Sequence, residues 1–162
     1  MSHARALRRS YDARPILGIT IEALHAYLEA RGFVASLERD ASTGGDALRF
    51  VEYARAGVLF LETMAIAVDL EGGVRLISSS LHAGRSLTRD EAARADATAG
   101  TVLGAIASVP YAGSDAARAQ EWIRAHIIEP GATVAIGSAR FEIDPDTTHP
   151  GRSYRVTIVA AA

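Results

Sequence analysis

Apolar and polar positions change period several times along this chain, and each change marks an element. Leu24, Tyr27 and Leu28 recur at helical spacing. Ahead of them Thr20 can cap, and Glu22 sits where the helix macrodipole favours a carboxylate; behind them Gly32 supplies a left-handed stop. From Phe33 the period shortens to two. Phe33, Ala35 and Leu37 alternate with Val34, Ser36 and Glu38, residues 42–46 carry turn chemistry, and residues 48–53 run extended again, which predicts a hairpin. Val58, Phe60, Met64, Ile66, Val68 and Leu70 then share one parity, the pattern of a long half-buried strand. Glu71, Gly72 and Gly73 turn the chain into a fourth strand over residues 74–81.

A second switch of period comes at Thr88. Thr88, Arg89, Asp90 and Glu91 match a capping box, and Val102, Leu103, Ile106 and Val109 continue the helix until Pro110 stops it. Ser114 and Asp115 open a third helix whose Ala119, Trp122, Ile123 and Ile127 form an apolar stripe, closed by Pro130 and Gly131. In residues 134–143 the alternation changes phase at Gly137 and Ser138, as a two-residue hairpin turn requires. Tyr154, Val156 and Ile158 place a last strand. The order α-ββββ-αα-βββ predicts an α+β fold: an antiparallel sheet of six to seven strands with three helices packed on one face. One domain over residues 16–162 follows a flexible basic arm at residues 1–15. The apolar sides of the strands are expected beneath the helices, leaving the other face to solvent, a partner or a second copy.

Composition sharpens this picture mainly by exclusion. At 162 residues the chain has room for one core and needs no staple, and it contains no Cys for a disulfide, a thiolate nucleophile or a Cys-based zinc site. No apolar run reaches the ~20 residues of a membrane span. The arm holds Arg5, Arg8, Arg9 and Arg14 without the apolar segment of a secretory signal, so a cytoplasmic protein is expected. All 17 basic residues are Arg, yet the net charge is −2, which argues against a general nucleic-acid binder.

Candidate chemistry is sparse. There is no Gly-rich phosphate loop, no Gly-x-Ser-x-Gly elbow and no pair of His at i, i+4. Glu62 falls on the apolar parity of its strand, where a carboxylate either raises its pKa or finds a charged partner. A β-bulge at Glu62–Thr63 that turns it to water is the simpler alternative. His82 and Arg85 sit between a strand and a helix N-terminus, a junction able to hold an anion or simply to connect. Trp122 and His126 lie four apart on one helix face, lining a pocket or a partner surface, or serving as core and rim. Asp144, Asp146 and His149 offer oxygen and imidazole ligands, but the prolines around them fit a stiff connector better, and neither a metal nor a cofactor is expected. Gly100 and Gly104 predict close helix packing.

The stretch Ile21-Glu22-Ala23-Leu24 through Leu28-Glu29-Ala30-Arg31-Gly32-Phe33, followed by consecutive hairpins, resembles the N-terminal half of type III secretion chaperone-like families, YbjN-type proteins among them. The resemblance spans residues 19–81. It implies a small dimeric α+β protein that binds other polypeptides without catalysis. After Leu81 the chain departs from it, because the Asn-containing helix of the YbjN type has no counterpart in a sequence without Asn and the last three strands are additional. The first expectation is therefore a non-catalytic binding module, homodimeric or chaperone-like, which holds a protein partner or a second copy of itself. The alternative is a small-molecule-binding protein or enzyme with a pocket between sheet and helices, lined by Glu62, His82, Arg85 and Trp122. No membrane is expected as partner, and nucleic acid only through the arm.

Overall fold

The computed structural model describes residues 14–33, 36–39, 46–54, 59–68, 73–145 and 152–162, with backbone pairing alone for the three segments between residues 36 and 68. The basic arm up to residue 13, the turn at residues 42–45, and Asp146 and His149 lie outside the described residues. Ile16 is buried, and its N–H donates to the Val74 carbonyl at 2.8 Å.

Helix α1 (Ile21–Glu29) begins where the Thr20 side chain accepts from the Ala23 N–H at 3.2 Å, and it buries Ile21, Leu24 and Leu28. Four strands follow: β1 (Ser36–Arg39), β2 (Asp46–Ala54), β3 (Leu59–Val68) and β4 (Gly73–Ala83). Helix α2 (Arg89–Ala107) opens on a complete capping box, the Thr88 side chain accepting from the Glu91 N–H and the Glu91 carboxylate from the Thr88 N–H. Helix α3 (Ala116–His126) is capped by the Asp115 carboxylate, which accepts from the Arg118 N–H at 3.0 Å. Gly100 and Gly104 let α3 approach α2 closely: a Cβ on Gly100 would stand 3.3 Å from Arg124 Cγ, and one on Gly104 3.6 Å from Gln120 Cα. Strands β5 (Thr133–Ile136), β6 (Ala139–Ile143) and β7 (Ser153–Ala160) complete the chain, with the Gly137–Ser138 turn joining β5 to β6. No helix among the described residues is long and apolar enough to cross a membrane.

All strands pair antiparallel in one sheet of order β1-β2-β3-β4-β7-β6-β5, which puts β4 in the middle. The fold is thus α+β, an antiparallel sheet with three helices. The helix-side face is set by Val74, Ile77 and Leu81 of β4, Tyr154, Val156 and Ile158 of β7, and Phe141 and Ile143 of β6, all in one buried cluster with Leu24, Leu28, Leu103, Ile106 and Ile123. Val74 and Ile77 share that face although they are three apart. The register supplies the reason: Ile66 pairs Leu76 but Ala67 pairs Val74, so Arg75 is an extra residue that flips the parity of β4, as a bulge does.

Two expectations are corrected here. The pairing runs unbroken through Glu62, opposite Val51 and Ser80, and through Thr63, opposite Phe50 and Ser79, so there is no bulge at Glu62–Thr63. The apolar parity of β3 also lies on the unexpected side. Leu61, Thr63 and Ala65 share rows with Leu81, Ser79 and Ile77, whereas Phe60, Met64 and Ile66 share rows with His82, Ser78 and Leu76, on the face away from the helices. Alternation within a strand identifies a stripe but not the layer it belongs to.

Candidate functional site

The five candidate residues fall into three places. Glu62 and His82 stand on the sheet face that no described helix packs against. Antiparallel registers set out rows across that face, four of which carry the candidates and their neighbours. One reads Val51, Glu62, Ser80, Arg155, and the next reads Tyr53, Phe60, His82, Ser153. On the other side of the Glu62 row come Arg49, Met64, Ser78, Thr157, Glu142 and then Ala47, Ile66, Leu76, Val159, Arg140. Leu76 and Ser78 are buried at its centre, His82 is exposed, and Ser80, Arg155, Thr157 and Val159 are half-buried. The apolar positions of this face lie chiefly on β2 and β3, whereas its positions on β4, β7 and β6 are mostly polar or charged. The Nε of Arg155 is buried and has no hydrogen-bond partner among the described residues.

Arg85 belongs to the junction between β4 and α2. Its guanidinium grips Glu91 through both terminal nitrogens, Nη2 to Oε1 at 2.8 Å and Nη1 to Oε2 at 3.1 Å, while Nη1 also donates to the Ser86 carbonyl at 2.9 Å. The fork-to-carboxylate geometry commits both terminal nitrogens of the guanidinium to Glu91. The same hydrogen bonds, joined by the Thr88 N–H, hold the Glu91 carboxyl down at about 2. The anion that Arg85 binds is this helix's own capping residue.

Trp122 and His126 stack, with ring centroids 4.9 Å apart and planes 21° apart. His126 Nδ1 lies 2.8 Å from the Trp122 carbonyl, which can only accept, so Nδ1 carries the proton and Nε2 faces Glu129 at 3.9 Å. Trp122 packs against the core cluster from α3, on the opposite side of the sheet from Glu62 and His82. The structure brings Trp122 to His126 and places Glu62 and His82 on one face, but it does not gather the candidates into a common cavity. Of the residues considered as metal ligands, Asp144 donates its N–H to the Arg155 carbonyl at the end of β7. No group of three or more His, Asp or Glu suited to a metal occurs among the described residues.

One polar cluster has no signal in the sequence. The hydroxyl of fully buried Tyr154 donates to Asp96 Oδ1 on α2, and Arg152 Nε lies 3.5 Å from the same oxygen. Burial, then donation to Asp96 and the Asp96 charge, push the Tyr154 hydroxyl well above the ordinary phenol range. The trio fastens α2 to β7. No protein-family model, no curated protein and no solved structure matches the chain.

Proposed function

We propose that this chain is a non-catalytic, chaperone-like protein-binding module whose docking surface is the sheet face opposite the helices. The observation that carries the reading is the register of β3. Phe60, Met64 and Ile66, flanked by Val51, Tyr53 and Val159, share rows on the side where none of the described helices packs. An antiparallel sheet left open on one side ordinarily turns polar residues to water. Apolar positions gathered on β2 and β3, with Glu62 and Arg49 set among them, mark an interaction surface instead. A sheet face of seven strands suits another folded protein surface better than a small ligand, which needs concavity. The separation of Trp122 and Arg85 from Glu62 and His82 favours this reading over a pocket between the layers.

Covalent footprinting of the intact chain, purified and in cell extract, tests the proposal. Met64, Tyr53 and His82 report on the open face and Trp122 on the helix side. Protection confined to the first three in either preparation is the expected outcome. Labelling of the open face as fast as that of free amino acids in both preparations overturns it.

A further inference from the structure

We propose that Arg155 seats a carboxylate carried by the docked protein partner, so that the polar half of the sheet face opposite the helices recognises an acidic side chain. The inference rests on the docking reading above and adds the chemistry of the partner. Arg155 lies on β7, directly beside the central strand β4. Its nearest positions on that face carry hydroxyls or an imidazole. Ser80 pairs with it, Ser78 and His82 stand diagonally on β4, and Ser153 and Thr157 lie two residues away along β7. The two-residue period keeps all of them on one side of the sheet and within reach of a long side chain. A buried arginine nitrogen ordinarily has an acceptor. Here the side chain is half-buried, and its buried Nε finds none among the described residues.

The seat is reached from one end of the sheet. Along this face of β4, Leu76 and Ser78 are buried, Ser80 is half-buried and His82 is exposed; Ser153, paired with His82, is half-buried as well. Cover therefore falls away toward His82, and an incoming group passes over His82 and Ser153 to Arg155. A carboxylate received side-on takes Nε together with one terminal nitrogen and supplies the missing acceptor, while the Ser80 and Ser153 hydroxyls are donors for the same oxygens. Charge selects the class of anion. One guanidinium offers a single positive charge, and exposed Asp144, whose N–H donates to the Arg155 carbonyl, already brings a negative charge close by. A phosphate group carries nearly two negative charges and would leave one unmet. A carboxylate carries one and matches the planar fork. Held by one fork alone, a free carboxylate binds weakly; carried on a surface already docked against the apolar positions of β2 and β3, it arrives at high effective concentration and fixes the partner's register.

The Nε–H of Arg155 reports on the site directly by NMR. The nitrogen-labelled full chain is titrated with acetate, phosphate and chloride at constant ionic strength, and R155K identifies the resonance by its loss. Acetate is expected to shift the Arg155 signal to saturation while the other arginine Nε–H signals stay in place. Phosphate is expected to need a higher concentration, and chloride to have no effect. Ser80→Ala should raise the acetate concentration at half-shift about fivefold, the share of one hydrogen bond. Glu62 stands beyond Ser80 in the same row, so E62Q and D144N test for an internal anion; both are expected to keep the acetate response. No response in the wild type, a response that appears only in E62Q or D144N, or one shared by all arginines overturns the seat. Phosphate binding tighter than acetate overturns the carboxylate. In cell extract, R155Q is expected to lose most of the protection of His82 seen in the wild type. Should R155Q fail to fold, R155K, which keeps the charge and loses the fork, takes its place. Protection as strong in the variant as in the wild type removes the partner's carboxylate and keeps the docking surface; a wild type without protection in either preparation removes the docking reading itself.

Discussion

Glu91 accepts three hydrogen bonds at once, two from Arg85 and one from the Thr88 N–H, and their removal by protonation is the acid sensitivity of the β4–α2 junction. The carboxyl lies at about 2 in the folded chain, below its ordinary value, so the stabilisation it brings is complete above the unfolded pKa and fades as pH falls from there toward 2. The substitution Arg85→Met removes the larger cause and leaves the Thr88 N–H. The Glu91 carboxyl is then expected to move up toward, but not reach, the ordinary value of about 4.5 in a carbon-detected NMR titration. A carboxyl still at about 2 in that variant discredits the assignment. Thr88 and Glu91 were legible as a pair in the sequence because a capping box is local. Arg85 was legible only as an anion ligand, since spacing does not say whether the anion is internal. Asp96 and Tyr154 were not legible at all: 58 positions separate them, and only the packing of α2 on β7 brings them together.

Between elements, hydrogen bonds join three loops. The Leu17 carbonyl accepts from the Ala112 N–H at 2.9 Å and from Ser138 Oγ at 3.1 Å, and the Ala112 carbonyl accepts from the Ser138 N–H at 2.9 Å. Gly137 makes this possible, with φ +57 and no room for a side chain: a Cβ there would lie 2.3 Å from the Gly113 carbonyl oxygen. Gly131 has φ +76 but nothing within 4 Å of a Cβ. Gly131→Ala should therefore cost about 1 kcal/mol, the left-handed penalty alone. Gly137→Ala must also push backbone apart and is expected to cost at least about 2 kcal/mol more in urea unfolding. Equal losses would mean that the three loops are not locked. Helices, caps and the Gly137–Ser138 turn were readable because their signals are local. The layer to which β3 turns its apolar stripe was not. β4 buries both Leu76 and Ile77, so it shows no clean alternation, and the extra residue Arg75 resets its parity without any mark in composition.

At the scale of the whole molecule, three tyrosines sit where elements pack against one another. Tyr27 of α1 donates to the Ala105 carbonyl of α2 at 2.7 Å, Tyr154 of β7 donates to Asp96 of α2, and Tyr111, after α2, lies against Phe141 of β6 at 6.3 Å between ring centroids. In all three, burial is the main cause that raises the hydroxyl above its ordinary value of 10, to about 12 for Tyr111. Below that ordinary value folded and unfolded chains hold these protons equally, and stability is indifferent to them. Above it the unfolded chain sheds them first, so it binds fewer protons than the folded one and stability falls as pH rises. Each tyrosine still protonated in the fold contributes about 1.4 kcal/mol per pH unit to that fall. Tyr154→Phe cannot ionise in either state. Its expected signature is therefore double: a loss of about 1–2 kcal/mol at about pH 8 for the hydrogen bond to Asp96, and an alkaline limb shallower than the wild type's by one proton. Urea unfolding between about pH 8 and about pH 11 measures both. An unchanged alkaline slope would place the Tyr154 hydroxyl in water, and would break the tie between α2 and β7 on which the layering depends.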